Sequence, residues 1–339
     1  MKFAFAVLFL VLVGFGAFFA NQYKNKKNIV NPFAGETAPK EKPLDKYQIE
    51  NLSKAKINAS EITLGKVLAD EENFTSYVFY FYAEGKRVSG LLNVPKGEGV
   101  YPVVMMFRGY VDKEIFQSGV GTQRAGEVFA KNGFVTLASD FLGYGESDNP
   151  SENSIEERFQ AYITAVTVLE SVGNLNATFL SNNIAARVSS EKVGIWGHSN
   201  GGQIALTVLE ITGKPYPSVL WAPVSKPFPY SVLYYTDEFD DRGKALRKAI
   251  ADFEDDYDIE LYNLTNFFME INAPLQVHQG SADDAVPIKW SDSLVAELEK
   301  LDKDVEYFTY PGADHNLIPT GWNLAISRAM DFYGKNLGP

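Results

Sequence analysis

The sequence contains no cysteine. Disulfides, thiolate metal sites and a cysteine nucleophile are thereby excluded. Histidine is almost as scarce: His198, His278 and His315 are the only three in 339 residues. No two of them stand at a metal-ligand spacing such as H-E-x-x-H, so neither a metal nor another cofactor is expected. If a histidine moves protons here, the candidates are few. Positive charge is also in deficit. The 31 Lys and Arg against 43 Asp and Glu leave a net charge of −12. That balance repels a sugar-phosphate backbone and argues against a nucleic-acid partner. Nothing in the sequence reports an oligomeric state.

What is present begins with "MKFAFAVLFLVLVGFGAFFA", in which residues 3–20 carry no charge. At ~1.5 Å per helical residue this run spans about 27 Å, close to a bilayer core. Residues 1–22 are therefore expected to be an N-terminal membrane anchor or a signal peptide. The small residues a cleavage site requires fall badly: Ala20 is preceded at the critical position by Phe18, which favours the anchor. The globular part is then expected outside the cytoplasm. Residues 23–46, rich in proline and charge, read as a linker. Residues 47–339 remain for a catalytic domain.

From residue 73 the hydrophobic pattern alternates strands with helices. "TSYVFYFYAEGKRVSGLLNVP" reads as a hairpin around Glu84-Gly85, "YPVVMMF" as a buried strand and "TQRAGEVFAKNG" as a helix ending at Gly133. Further on, "FVTLASD" is a strand and Ser154 with Glu157 a capping box opening a helix. "KVGIWG", "SVLWAPV", "APLQVHQG" and "VEYFTYP" are strands. In the helix "IKWSDSLVAELEKL", Leu294, Leu298 and Leu301 fall in register. The alternation predicts an α/β fold, a mostly parallel central sheet with helices on both faces. Ligands bind such sheets beyond the carboxyl ends of the strands. Residues 225–272 interrupt the rhythm. They begin with the aromatic and acidic "SKPFPYSVLYYTDEFDD" and read as a helical lid insertion.

The carboxyl ends of the strands carry the chemistry. After "KVGIW" comes Gly197-His198-Ser199-Asn200-Gly201, a G-x-S-x-G corner between strand and helix. The glycines let a sharp turn hold the serine exposed in strained backbone angles. A serine needs a base, and the base needs a carboxylate. "HQGSADDAVP" places Asp283 and Asp284 after a late strand. "YPGADHNL" places His315 in the loop after the last strand. His198 adjoins the serine, so its side chain should point away, and His278 lies inside a strand. The order Ser, Asp, His is that of the α/β-hydrolase nucleophile elbow. An oxyanion requires two donors. The N–H of Asn200 follows the nucleophile, and the N–H of Tyr110 follows Gly109 in "MMFRGYVDKE".

These stretches resemble the prolyl oligopeptidase type of α/β-hydrolase, the serine peptidase family that includes dipeptidyl and acylaminoacyl peptidases. "SGLLNVP", "RGY", "DFLGYGESD", "GIWGHSNGG", "HQGSADDAVP" and "PGADHNL" carry the likeness, over about residues 75–336. The resemblance implies the triad Ser199, Asp283 and His315, choosing Asp283 over Asp284, with the Asn200 and Tyr110 amides as oxyanion hole. Two features depart from the family. Arg108 stands where a histidine usually precedes the oxyanion glycine, and is a candidate for a substrate carboxylate. The β-propeller of the best-known members is missing. Tyr230, Tyr234 and Tyr235 of the insertion are candidates for an apolar substrate pocket.

The reading is a serine hydrolase working through a covalent acyl-enzyme, a peptidase on short peptides. A carboxylesterase on small acyl esters is the alternative. An inactive hydrolase fold serving as a binding protein is the rival from another class.

Overall fold

A computed structural model describes residues 42–338. The expected anchor, and the linker up to residue 41, lie outside the described residues. Among the described residues no helix is long and apolar enough to cross a membrane. The domain begins four residues earlier than the sequence suggested. Pro43–Tyr47 form a 3-10 helix that buries Leu44 and Tyr47, because these two apolar side chains have a core to join.

Nine strands form one sheet: β1 (Thr63–Asp70), β2 (Phe74–Ala83), β3 (Lys86–Pro95), β4 (Gly99–Phe107), β5 (Val135–Ser139), β6 (Ala186–His198), β7 (Ser218–Trp221), β8 (Leu275–Gly280) and β9 (Val305–Tyr310). Their spatial order is β1-β2-β3-β5-β4-β6-β7-β8-β9. The β1, β2 and β3 pairings are antiparallel, and every pairing from β5 to β9 is parallel. The β2–β3 hairpin turns on Glu84 and Gly85, both at positive φ, the backbone of a type I′ turn.

The period of two along β4 divides the core. Val103, Met105 and Phe107 enter one apolar cluster, while Val104 and Met106 enter another on the opposite face. Nine α-helices are described, beginning with α1 (Ile49–Lys54), α2 (Gln123–Lys131), α3 (Ser154–Glu170), α4 (Leu175–Ser181) and α5 (Asn200–Thr212). They continue with α6 (Tyr230–Leu233), α7 (Lys244–Asp256), α8 (Ile288–Lys300) and α9 (Trp322–Leu337). Helices α3, α4, α5 and α8 pack with the first cluster. Helices α2 and α9 pack with the second.

Three local expectations change. Helix α3 is capped by Asn153, whose side-chain oxygen accepts from the N–H groups of Ile155 and Glu156; Asn153 sits one residue upstream of Ser154 and takes the capping role. Leu301 falls just past α8 and is exposed. The insertion expected to form a lid joins the core over much of its length. Ile250, Phe253, Tyr262, Leu264, Phe268 and Ile271 are buried in the first cluster, with Phe228 edge-on and Phe253 tilted against Phe159 of α3. That part is structural core. The stretch from Tyr230 to Phe239 keeps exposed aromatic side chains.

The chain runs from β4 to β5 on one side and returns to β6 on the other, so the strand order reverses between β4 and β6. That reversal is the switch point at which doubly wound sheets open a crevice. Register pairs Phe107 with Gly197, which sets the loops after β4 and β6 face to face.

Candidate active site

The corner after β6 has the geometry its sequence requires. Ser199 has φ 57° and ψ −121°, a strained conformation for a residue with a Cβ. Its backbone is tied on both sides: Ser199 N–H donates to Trp221 O at 2.9 Å, and Val224 N–H donates to Ser199 O at 3.0 Å. Close packing explains the glycines. A Cβ on Gly201 would overlap the Phe107 carbonyl oxygen, and one on Gly109 would lie 2.9 Å from Ser199 Cβ and 3.4 Å from its Oγ. The loop after β4 therefore reaches within van der Waals contact of the serine side chain.

Asp283 and His315 meet across the loops after β8 and β9. His315 Nδ1 lies 2.9 Å from Asp283 Oδ2. Asp283 Oδ1 accepts from the N–H groups of Ala285 and Val286 at 3.0 and 2.8 Å, and Gln279 Nε2 donates to Oδ2 at 2.9 Å. Burial raises the Asp283 carboxyl, but the His315 ring, the Val286 N–H and Gln279 outweigh it and hold the group below the ordinary carboxylate range. An ionised Asp283 leaves Nδ1 of His315 protonated and turns Nε2 into the free basic nitrogen. Asp284 is exposed. No hydrogen bond joins Ser199 Oγ to His315 among the described residues. The two are linked through His198, whose Nε2 lies 2.9 Å from the His315 carbonyl oxygen and whose ring centroid is 4.6 Å from that of His315. His198 tethers the loop that carries His315, a contact its sequence position does not reveal.

Asn200 opens α5, so its N–H is one of the helix's unpaired N-terminal donors. Tyr110 follows Gly109, and its phenol donates to Asp112 Oδ1 at 2.9 Å. Among the described residues no acceptor holds the Tyr110 N–H. Arg108 departs from the expectation of a substrate contact. It is 7% exposed, Nη1 donates to Gly109 O at 2.8 Å, and Nη2 donates to Asp140 O at 2.9 Å. Its guanidinium packs against the rings of Phe116 and Tyr144, 4.6 and 4.0 Å from their centroids, and these two rings meet edge to face. Both terminal nitrogens are thus turned inward onto backbone carbonyls, while Nε is buried without a partner.

Tyr230, Tyr234 and Tyr235 surround Trp290 of α8, with ring centroids 6.0, 4.9 and 6.3 Å from it. Tyr235 packs with Ala222, Val224, Val286 and Trp290, next to the residues that bond Ser199 and Asp283. The acidic end of the insertion is spent on local structure. Asp241 accepts from the N–H groups of Gly243 and Ala245.

Sequence reasoning missed Trp290, Gln279, His198's tether and Arg158. Arg158 of α3 donates from Nη2 to Gln203 Oε1 at 3.0 Å, one turn of α5 beyond Ser199. Its Nε is buried without a partner, and no carboxylate among the described residues forms an ion pair with it. Burial lowers its pKa. A cation half-enclosed and uncompensated is costly unless something else pairs with it.

Comparisons with known proteins agree with this architecture. Residues 176–339 match the prolyl oligopeptidase family and residues 88–225 the dienelactone hydrolase family. The "Uncharacterized peptidase YtmA" of Bacillus subtilis is 28% identical over 77% of this chain and 93% of its own length. Among solved structures, an acetyl xylan esterase from Paenibacillus sp. R4 superposes with a TM-score of 0.59 at 17% identity, covering 87% of this chain and 95% of its own. The Pyrococcus horikoshii acylaminoacyl peptidase gives 0.55 at 17% identity, over 79% of this chain and 42% of its own. The described residues hold no β-propeller, and the mostly parallel sheet with its G-x-S-x-G corner makes this chain an α/β-hydrolase with prolyl oligopeptidase and dienelactone hydrolase family segments.

Proposed function

We propose that the protein is a serine hydrolase that cleaves small acyl substrates, short peptides first among them, through a covalent acyl-enzyme. The observation that carries the reading is a strained serine on a strand–helix corner within one loop cluster of an Asp283–His315 pair hydrogen-bonded at 2.9 Å. In this reading Ser199 Oγ attacks the carbonyl carbon. His315 Nε2 takes the hydroxyl proton and delivers it to the leaving nitrogen or oxygen. Asp283 holds the tautomer and stabilises the imidazolium. The Asn200 and Tyr110 N–H groups receive the oxyanion. Water, activated by His315, then releases the acid.

The relative named a peptidase supports amide cleavage. The dienelactone hydrolase match over residues 88–225, which shares Ser199 with the prolyl oligopeptidase match, supports an ester as the second reading. Arg158 supports a substrate carboxylate under either reading, and the Tyr230–Trp290 cluster supplies an apolar wall beside it. Matched amide and ester pairs, each with a free or blocked terminal carboxylate, test these points together. A peptidase turns over the unactivated amide, though more slowly than its ester, whereas an esterase leaves the amide intact. Arg158→Gln should raise KM about tenfold or more for the free carboxylates alone, the scale of one charge-assisted hydrogen bond. Equal KM values for free and blocked substrates in the unmodified protein would remove Arg158 from recognition.

A further inference from the structure

Arg108 does something that its place behind the loop makes specific. Its Nη1 donates to the carbonyl of Gly109, the oxygen of the peptide unit that ends in the Tyr110 N–H. A trans peptide is planar, and its C=O and N–H point in opposite directions. Pinning the carbonyl on the guanidinium side turns the Tyr110 N–H to the other side. A Cβ added to Gly109 would lie 2.9 Å from Ser199 Cβ, so the peptide that is fixed borders the nucleophile.

The pin is itself held. Nη2 donates to Asp140 O at 2.9 Å, and the guanidinium packs against both Phe116 and Tyr144, contacts an ammonium does not reproduce. Asp140 carries the second level of support. It is buried, and its Oδ2 accepts from Ser89 Oγ and Ser118 Oγ, both at 2.6 Å. Loops after β4 and β5 are thereby locked together through one side chain.

We propose that Arg108 is the positioning residue of the oxyanion hole: by holding the Gly109 carbonyl it pre-orients the Tyr110 N–H toward the developing oxyanion. It does not touch substrate. A free peptide would sample both orientations and present its carbonyl to the anion part of the time. This inference rests on the serine-hydrolase reading.

The test compares a p-nitrophenyl ester with its thionoester, whose sulfur is a poor hydrogen-bond acceptor. The readout is kcat, KM and the oxygen-to-sulfur rate ratio in wild type, Arg108→Ala and Arg108→Met. Met keeps an apolar stem against the two rings and lacks the donors, so it decides the matter if the Ala variant fails to fold. Expected is a fall in kcat of about 10²-fold, the scale of one lost oxyanion donor, with KM within about threefold. The oxygen-to-sulfur ratio should fall about tenfold, because the hole that prefers oxygen has lost a donor. A merely structural defect lowers both rates together and leaves the ratio alone. A folded, active Arg108→Met with the wild-type ratio overturns the assignment of Arg108 alone. A wild type that neither hydrolyses the ester nor takes a fluorophosphonate label sinks the serine-hydrolase reading beneath it.

Discussion

His278 sits in the middle of β8, fully buried, and its surroundings fix its charge. Nε2 lies 2.9 Å from Gln276 Oε1, and Nδ1 lies 2.7 Å from the Tyr310 hydroxyl. Gln276 presents an acceptor, so Nε2 must donate. Nδ1 is then the acceptor for the Tyr310 O–H, and Arg328 Nη1 already donates to that hydroxyl at 3.1 Å. A second proton on the ring would face a cation along this chain. Burial first, and Arg328 second, push His278 down to about 3. Its unfolded value is about 6.5. The folded state resists the proton that the unfolded state accepts, so the stability from a neutral His278 is full above pH ~6.5 and is lost as pH falls toward 3.

The size follows from the two values. Between pH 7 and pH 5 the unfolded state gains about three-quarters of a proton at this site and the folded state almost none. At about 1.36 kcal/mol per pH unit, less the rounding near pH 6.5, the loss is about 2 kcal/mol. His198, pushed down to about 4 by burial and by His315, contributes nearly as much over the same window. Urea unfolding at pH 7 and pH 5 measures the sum, and His278→Phe isolates one share. The variant should be less stable at pH 7, because Gln276 loses its donor, yet its loss between the two pH values should be smaller by about 2 kcal/mol. A variant with the same pH dependence as the parent would refute the claim that His278 is buried neutral.

Two substitutions probe the site itself. Asp283→Asn keeps the shape but removes the charge that selects the tautomer of His315, so kcat should drop about 10⁴-fold with the fold intact; kinetics on an activated ester beside a urea melt separates the two effects. Gly201→Ala pushes a methyl into the Phe107 carbonyl; overpacking of this kind costs about 1–3 kcal/mol, read as a lower urea midpoint, and activity should fall because β4 and the corner move apart.

The architecture was legible because each of its devices leaves a mark in the sequence. The alternating strands and helices give the sheet. Glu84-Gly85 gives the hairpin turn, and the spacing of "GHSNG", "DD" and "ADHN" puts three reactive groups at three strand ends. Contacts between distant segments leave no such mark. His198 reads as a bystander until the His315 carbonyl is seen beside it. Arg158 reads as one charge on a capped helix, and only the packing of α3 on α5 leaves it without a carboxylate. Arg108 looked like a hand toward the substrate because its sequence neighbours are the site. The positions of Phe116, Tyr144 and the Asp140 carbonyl, all separate in the chain, turn it inward. The insertion misled for a similar reason: its apolar residues lack a clean period, and their partner Phe159 lies far upstream.

The central claim is that Ser199 is a nucleophile driven by His315. Intact-mass analysis after brief exposure to a fluorophosphonate tests it most directly. The account predicts one adduct on the wild-type protein, located by peptide mapping to the segment containing Ser199. Ser199→Ala should take no label, and His315→Gln should label at least about 10²-fold more slowly, the scale of a lost general base. Equal labelling of wild type and Ser199→Ala, or none of the wild type, would contradict it.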